Sequence, residues 1–365
     1  MRPRVIATIK CSALRHNLMI ARKHAPNSKV LAVVKANGYG HGIVEVSKAL
    51  AGADGFGVAC LDEAIALREA GIQQPILLLE GPFSADELGM IADYNLSVVV
   101  HHAQQIAWLE AWRADGRCIS VWAKLDTGMH RLGFSPENLS EVMIRLKQCA
   151  SVKDEIALLS HLANADQPEH PLNQQQWALF SSSCIDYSGP KSIANSAALL
   201  SMPTTQGDWV RPGIMLYGCA PFVSDEASGW DLKPAMTLTA SLFSIKQLKA
   251  GDAIGYGSSW QCPDDRVIGV VSVGYGDGYP RHAPSGTPVL INGCECPLVG
   301  RVSMDMICVD LTHCPTARCG DEVVLWGEGL PIEQVAAAAG TISYELLCGV
   351  TARVCFEYSD SECLS

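Results

Sequence analysis

The stretch VLAVVKANGYGHG, residues 30–42, joins an unbroken apolar run to a segment that is rich in glycine. A short, β-branched run of this kind is typical of a strand that is buried on both faces of a sheet. Lys35 ends the run, and its ammonium is costly to desolvate unless another group pairs with it or uses it. Burial also lowers the pKa of a lysine, which turns its amine into a nucleophile. A lysine that snorkels at a strand end is the alternative, and this stretch alone favours neither interpretation.

Similar runs recur along the first 220 residues and alternate with longer amphipathic stretches. The apolar runs cover residues 30–35, 56–60, 76–80, 97–101, 119–125, 156–161, 192–195 and 209–216. The clearest helical patterns cover residues 43–50, 61–70, 103–113, 137–148 and 174–185. Alternation of strand and helix predicts a parallel sheet, and about eight repeats predict an N-terminal (β/α)₈ TIM-type barrel. A doubly wound open sheet is the runner-up, because periodicity alone does not show closure.

Polar side chains come at the ends of these apolar runs. They are Lys35, Lys124, His161, Asn195 and Arg211. In such barrels the chemistry lies at the C-terminal ends of the strands, so we expect these side chains to share one rim.

The pattern changes after about residue 234. Turn signals become frequent, and Asn292-Gly293 between two apolar stretches predicts a β-hairpin. We therefore predict an α/β protein with a barrel domain at residues 1–230 and a mostly β domain at residues 231–365. The boundary is expected in the polar stretch 224–234, which contains glycine and proline.

The composition excludes several classes of function. The 365 residues include 38 acidic and 27 basic side chains, a net charge of −11, which argues against a nucleic-acid partner. No stretch of roughly 20 apolar residues predicts a membrane span, and no signal-peptide pattern is present, so a cytoplasmic protein is expected. The 15 cysteines are expected to be reduced and mostly buried. Cys294 and Cys296 lack a partner pair at zinc spacing, so no metal site is predicted.

Two segments late in the barrel are candidates for binding an anion. Ser196 follows Asn195 and begins a predicted helix, and Gly213 and Ile214 follow Arg211. Exposed backbone N–H groups at such places bind anions, and the last two strand loops of a barrel are a common phosphate site. Together with a reactive lysine on the first of the repeats, they indicate pyridoxal 5′-phosphate bound covalently through Lys35.

Nine segments in order along the chain resemble the alanine racemase family. They are AVVKANGYGHG (32–42), KLDTGMHRLGF (124–134), SHLANAD (160–166), ANSAALL (194–200), DWVRPGIMLYG (208–218), GYGSSW (255–260), GYGDGYPR (274–281), VGRVSMDM (299–306) and SYELLC (343–348). The combination of GYGSSW with VSMDM is the narrowest of these signals, and the match covers both predicted domains. The resemblance implies pyridoxal phosphate-dependent interconversion of L-alanine and D-alanine, either to supply D-alanine for peptidoglycan or for alanine catabolism.

The resemblance implies two catalytic bases. Lys35 would carry the cofactor and act on one face of the substrate Cα, and Tyr256 would act on the opposite face. Racemisation needs both, because a proton removed from one side must be replaced from the other. A tyrosine is a poor base near neutral pH, so a neighbouring cation is expected to lower its pKa. In this family the tyrosine serves the partner chain, which implies a homodimer with shared active sites.

The resemblance also assigns the remaining cofactor and substrate residues. Arg211 would face the pyridine nitrogen with support from His161, and Arg131 and the backbone of Met304 would bind the substrate carboxylate. Lys124 would be carbamylated to N6-carboxylysine and pair with Arg131. The other implied positions are the cofactor-binding residues Tyr39, Asn195, Ser196, Gly213, Ile214 and Tyr344 and the entrance residues Tyr275, Arg281 and Arg301.

Other functions remain open at this point. A racemase of broader specificity, for example for serine, is one alternative, and a decarboxylase of the same fold is another, although that would place a carboxylate where Arg211 stands. A non-catalytic pyridoxal phosphate-binding protein is the third, but such proteins resemble the barrel alone. This sequence departs from the family pattern at Gly38, where alanine is commoner, and at Ser192, where some members have histidine.

Overall fold

The computed structural model describes residues 3–222 and 229–359 and divides the chain into two compact units. The barrel unit is built on Leu14–Leu216. The β unit is built on the described residues up to Ala13 and from Lys233 onwards, together with Tyr217–Cys219. The predicted boundary at residues 224–234 lies partly outside the described residues, so it stays a prediction.

The barrel unit contains eight parallel strands, each hydrogen-bonded to its neighbours. They are β2 (Lys29–Val33), β3 (Gly55–Val58), β4 (Ile76–Leu78), β5 (Ser97–Val100), β6 (Ser120–Lys124), β7 (Ala157–Leu159), β8 (Lys191–Ser192) and β9 (Trp209–Val210). β9 pairs with β2, and the remaining strands follow in sequence order to β8. Just beyond β8 and β9, the N–H of Arg211 donates to the carbonyl of Ala194 at 3.0 Å, so the sheet is nearly closed. The predicted barrel is confirmed, and the open sheet is not.

Alternate side chains of these strands fill the barrel. Leu31, Leu77, Val99, Trp122 and Leu159 form one buried cluster. They come from five different strands. Because successive residues of a strand point to opposite faces, every second side chain of a strand points into the barrel. The filled interior leaves the strand ends as the place where polar side chains can gather.

Helices connect the barrel strands. They are α1 (Cys11–His24), α2 (Lys35–Tyr39), α3 (Ile43–Ala49), α4 (Leu61–Glu69), α5 (Glu87–Asp93), α6 (Ala103–Ala111), α7 (Leu139–Gln148), α8 (Pro171–Ser183) and α9 (Ser196–Ser201). The five helices predicted from their patterns are present, with ends within three residues of the prediction. α1 was not predicted, since it begins directly after a strand without a turn or capping signal.

The β unit is mostly antiparallel. Its elements beyond residue 235 are β10 (Met236–Leu248), β11 (Ala253–Ile254), β12 (Trp260–Gln261), β13 (Arg266–Val271), β14 (Pro288–Ile291), β15 (Cys294–Val299), β16 (Ile307–Asp310), β17 (Glu322–Trp326), α10 (Ile332–Ala339), α11 (Ser343–Cys348) and β18 (Cys355–Ser359). The long β10 pairs with both β13 and β17, which closes a ring of six strands. Asn292 and Gly293 have φ values of 49° and 77° between β14 and β15, so the predicted hairpin is confirmed.

The first strand of the chain belongs to the β unit. β1 (Val5–Lys10) lies between β10, to which it is antiparallel, and β18, to which it is parallel. The sequence pattern predicts that these residues belong to a barrel domain at residues 1–230. In the structure they pair within the β unit, because their hydrogen-bonding partners lie more than 220 residues further along the chain. Such distant pairing leaves no local signal in the sequence.

Within residues 3–222 and 229–359, no helix is both long enough and apolar enough to cross a membrane.

Candidate active site

Lys35 lies at the barrel rim, two residues after the end of β2 and at the start of α2. Its Nζ lies 3.9 Å from Oε1 of Glu80, which follows β4. The strand itself is buried, but the Lys35 side chain is 38% exposed. The sequence left open whether the ammonium is buried or snorkels at the strand end, and in the structure the partly exposed side chain leaves the sheet at its open end.

The segment after Lys35 has an unusual backbone. Ala36, Asn37, Gly38 and Tyr39 all have φ values between 50° and 64°. Residues other than glycine avoid this left-handed region, at a cost of roughly 1–2 kcal/mol each. Hydrogen bonds hold the turn, since the Asn37 N–H donates to Glu63 and the Asn37 carboxamide oxygen accepts from the Ile43 N–H. The turn fixes Lys35 and Tyr39 relative to each other.

Arg211 follows β9 and is buried. Its guanidinium donates to the Ser192 hydroxyl and, at 2.6 Å, to the carbonyl of Ser160. Burial lowers the Arg211 pKa to about 10, so the side chain remains a cation at neutral pH. Ser160 and Ser192 were not predicted as site residues, because their role depends on which loops meet at the rim.

His161 follows β7 and lies beside Arg211, with Nδ1 3.4 Å from the guanidinium. Burial and the neighbouring cations hold the His161 pKa well below its ordinary value, so the ring is neutral at pH 7. A guanidinium can only donate, so Nδ1 accepts and the ring proton lies on Nε2.

The predicted anion-binding segments meet in the structure. Asn195 caps α9, with its side-chain oxygen accepting from the Ala198 N–H at 3.1 Å. The Ser196 hydroxyl accepts from the Gly213 N–H at 2.8 Å, and Ile214 begins a 3₁₀ helix. A Cβ on Gly213 would collide with the Tyr39 hydroxyl, so only glycine lets these groups come together.

Lys124 ends β6 and is buried among cations. Burial, followed by Arg211, Arg131 and Lys35, lowers the Lys124 pKa to about 8. The exposed Arg131 lies in the loop after β6. The carboxylate of Asp126 shapes this loop by accepting from the N–H groups of Gly128 and His130, each at 3.0 Å.

Tyr256 lies in the β unit at the tip of the β11–β12 hairpin, where it is 71% exposed. Gly255 and Gly257 on either side have φ values of 68° and 71°. A Cβ on Gly257 would lie 3.4 Å from Nη1 of Arg301, so a guanidinium is packed against this tip.

The other predicted residues of the β unit lie on exposed loops or on α11. The N–H of Tyr275 donates to the carbonyl of Ser303 at 3.0 Å, which brings Tyr275 next to Met304. Met304, Tyr344 and Arg281 are also exposed within this unit. Among the residues that the structure describes, no group of three or more His, Cys, Asp and Glu side chains could hold a metal ion.

Comparison with known proteins accounts for both units. Residues 9–221 match the family model "Alanine racemase, N-terminal domain", and residues 235–358 match "Alanine racemase, C-terminal domain". The chain belongs to the alanine racemase family. The alanine racemase of Coxiella burnetii is 49% identical to this family member over 358 residues, which cover 97% of this chain and 98% of the relative.

Solved structures of the family agree with this assignment. The biosynthetic alanine racemase of Pseudomonas aeruginosa superposes with a TM-score of 0.95 at 48% identity, covering 98% of this chain and all of the other. The alanine racemase of Bartonella henselae, solved with covalently bound pyridoxal phosphate, gives a TM-score of 0.89 at 30% identity over 98% of this chain and all of its own. The resemblance inferred from the sequence is confirmed, and the comparisons do not favour a broader racemase or a non-catalytic binding protein.

Proposed function

We propose that this protein interconverts L-alanine and D-alanine with the help of pyridoxal phosphate. The observation that carries the proposal is the match of both units, and not of the barrel alone, to the alanine racemase family. The biosynthetic relative supports a role in supplying D-alanine for peptidoglycan rather than in catabolism. A cytoplasmic location remains a prediction.

The barrel rim is suited to hold pyridoxal phosphate. Tyr39, Ser196 and Gly213 lie together, and a side chain on Gly213 would not fit between them. A glycine at this point lets the backbone come close to a phosphate. Lys35 supplies the amine for the covalent link, and Asn195, Ile214 and Tyr344 complete the proposed set. When bound, the cofactor withdraws electrons from the substrate Cα.

Arg211 would control the protonation of the cofactor ring. Its guanidinium stays charged at neutral pH and only donates hydrogen bonds, so a ring nitrogen placed against it would stay unprotonated. Ser192, the Ser160 carbonyl and neutral His161 fix the guanidinium in place. This weakens electron withdrawal and favours rapid return of the proton over side reactions.

Two groups would move the proton. The Nζ of Lys35 takes or returns it on one face of Cα, and the hydroxyl of Tyr256 does so on the other. We assign Tyr256 to the active site of a second protomer in a homodimer.

Arg131 and the Met304 backbone would bind the substrate carboxylate, because a guanidinium matches its two oxygens. Tyr275, Arg281 and Arg301 would line the entrance.

The lowered pKa of Lys124 leaves much of its amine neutral at mildly basic pH, which is the form that reacts with CO₂. The resulting N6-carboxylysine would be an anion and would pair with Arg131. Intact-mass analysis at high bicarbonate should show one added CO₂, and the Lys124→Met variant should show none.

The proposed activity is tested by incubating the holoenzyme with L-alanine in D₂O. We expect loss of optical rotation together with deuterium at Cα, because the returned proton comes from groups that exchange with solvent. Tyr256→Phe should slow deuteration of L-alanine at least about 100-fold, the usual size of a lost general base, with cofactor binding retained. Tyr94→Phe, at the end of α5, is the control. If the cofactor-loaded wild type does not racemise alanine, the proposal is wrong. If Tyr256→Phe loses cofactor binding and Cα deuteration to the same extent, the role of Tyr256 is wrong.

A further inference from the structure

The β unit contains a buried carboxylate for which the proposed mechanism has no use. The Asp277 side chain is 0% exposed and pairs with Arg4 and, at 3.4 Å, with Nε of Arg353. Its Oδ2 also accepts from the N–H of Gly274 at 3.0 Å. A buried carboxylate is costly unless it is paired and hydrogen-bonded, and here both conditions are met.

The same two arginines reach a second carboxylate. Nη2 of Arg353 lies 2.6 Å from Oδ1 of Asp305, and Nη1 of Arg4 donates to the Asp305 carbonyl at 3.1 Å. The hydrogen bond from Arg353 holds the pKa of the Asp305 carboxyl below its usual range. We call these four residues, Arg4, Asp277, Asp305 and Arg353, the clasp. Its two acids lie on two different loops, one at residues 274–277 and one at residues 303–306.

Backbone hydrogen bonds join the two loops. The N–H of Tyr275 donates to the carbonyl of Ser303 at 3.0 Å, and the N–H of Gly276 donates to that of Met304 at 2.9 Å. A Cβ on Gly274 would collide with the Met304 backbone, and one on Gly276 would collide with the Arg353 guanidinium. The loops are therefore packed as one piece with no room for a side chain between them.

This arrangement decides the direction of the Met304 N–H. The described residues contain no cis peptide bond, and the C=O and N–H of a trans peptide point in opposite directions. Because the Ser303 carbonyl points towards Tyr275, the N–H of Met304 points away from the 274–277 loop. The clasp holds the loops that set this direction.

We propose that Asp277, through Arg4 and Arg353, is a positioning residue that aims the Met304 backbone at the carboxylate of the amino-acid substrate. The inference rests on the proposed function, which assigns that contact to Met304. Asp277 itself does not touch the reacting atoms. A carboxylate contact is present both before and during proton transfer, so disturbing it raises KM and leaves kcat nearly unchanged.

Asp277→Asn keeps the shape of the side chain and removes its charge. We expect KM for L-alanine to rise about three- to tenfold with kcat within about twofold of wild type. Acetate, used as a probe for the carboxylate site, should inhibit more weakly by a similar factor. The matched control is Asp310→Asn, which breaks a similarly buried pair of the same unit, Asp310 with Arg266 at 2.9 Å. The control should lower the melting temperature and leave KM unchanged.

A second variant covers the case in which Asp277→Asn fails to fold. Arg353 is partly exposed, so Arg353→Met removes one of the two links between the acids, the other being Arg4, without leaving a cavity in the core. It should raise KM as well, and Arg353→Lys should restore part of the wild-type value. If the wild type racemises alanine and neither Asp277→Asn nor Arg353→Met raises KM above the Asp310→Asn control, the clasp inference alone is wrong. If cofactor-loaded wild type does not racemise alanine, both proposals fall.

Discussion

Burial acts strongly on the lysine at the end of β6. Lys124 is enclosed by protein, and its pKa falls to about 8 mainly through burial and then through Arg211 and Arg131. The unfolded chain binds this proton more tightly than the folded protein does. The unmodified amine therefore destabilises the fold below about pH 8, and this penalty fades as the pH rises towards the ordinary lysine pKa of about 10.4.

Replacing Lys124 by Met should remove this pH dependence. Between pH 7 and pH 10 the wild type should gain unfolding free energy relative to Lys124→Met, by at most ~3 kcal/mol. Urea unfolding of CO₂-free protein at both pH values measures the difference. Parallel pH profiles of the two proteins would show that the amine is not desolvated.

Ser192 supports the buried Arg211 at the same rim. Its hydroxyl accepts from the guanidinium and donates to the carbonyl of Trp209 at 2.7 Å. Ser192→Ala leaves a buried charged donor short of a partner, so we expect a loss of about 1–3 kcal/mol of unfolding free energy. Ser182→Ala, which removes an exposed hydroxyl bonded to the Leu179 carbonyl, should change it by less than about 0.5 kcal/mol. Equal effects would mean that a water molecule replaces the Ser192 hydroxyl.

The sequence predicted the rim residues at the single-residue scale but not the groups that hold them. Lys35, Lys124, His161 and Arg211 each end an apolar run, and a barrel brings strand ends to one rim. Ser160, Ser192 and Asp277 carry no such signal, because their partners come from other loops. The partial exposure of Lys35 was also not predictable, since a run of apolar residues does not show where its side chain leaves the sheet.

Among the structural elements, the turn after β2 and the loop after β9 depend on each other. The strained residues 36–39 place the Tyr39 hydroxyl where a side chain on Gly213 would collide with it. Backbone strain of this kind persists only where the surrounding contacts compensate for it. We expect the strain to serve binding of the phosphate and not stability.

Gly213→Ala tests this relation. Gly213 does not have a positive φ, so alanine fits its backbone, but the new methyl group must displace the Tyr39 hydroxyl. The dissociation constant of pyridoxal phosphate, followed by absorbance, should rise about tenfold, which is about 1.4 kcal/mol. The control is Gly89→Ala in α5, where the added Cβ would have no atom within 4 Å. This variant should leave the dissociation constant unchanged. If Gly213→Ala binds pyridoxal phosphate with unaltered affinity, Tyr39 does not belong to the phosphate site.

Elements were predictable where their pattern is local. The eight barrel strands begin where periodicity indicated, and the Asn292-Gly293 hairpin follows from turn chemistry. β1 and α1 were missed because neither is bounded by a turn signal and the partners of β1 lie far along the chain. The local pattern of the sequence therefore indicates the type of each element, whereas the pairing of strands far apart in the chain is seen only in the structure.

For the whole molecule, the proposed homodimer gives a test by mixing. Lys35→Ala and Tyr256→Phe should each be nearly inactive alone. If Lys35 of one protomer works with Tyr256 of another, a mixed dimer contains one intact site and one doubly altered site. Random exchange of subunits should then restore about a quarter of wild-type activity.

The mixture is measured after dissociation and reassociation, with each variant treated alone as the control. No gain on mixing, with exchange shown by mass spectrometry of tagged chains, would place both groups in the same protomer. The shared-site arrangement would then be wrong, and the racemase assignment would be unaffected.

The position of β1 between β10 and β18 has a consequence for synthesis of the chain. Strands β2 to β8 leave the ribosome in the order in which they pair, and β9 then pairs with β2, so most of the barrel can assemble as it emerges. Residues 5–10 are made before every other described strand, but one of their neighbours is made only with residues 355–359. One edge of β1 therefore stays unpaired from the time it is made until residues 355–359 have been made, about 350 residues later.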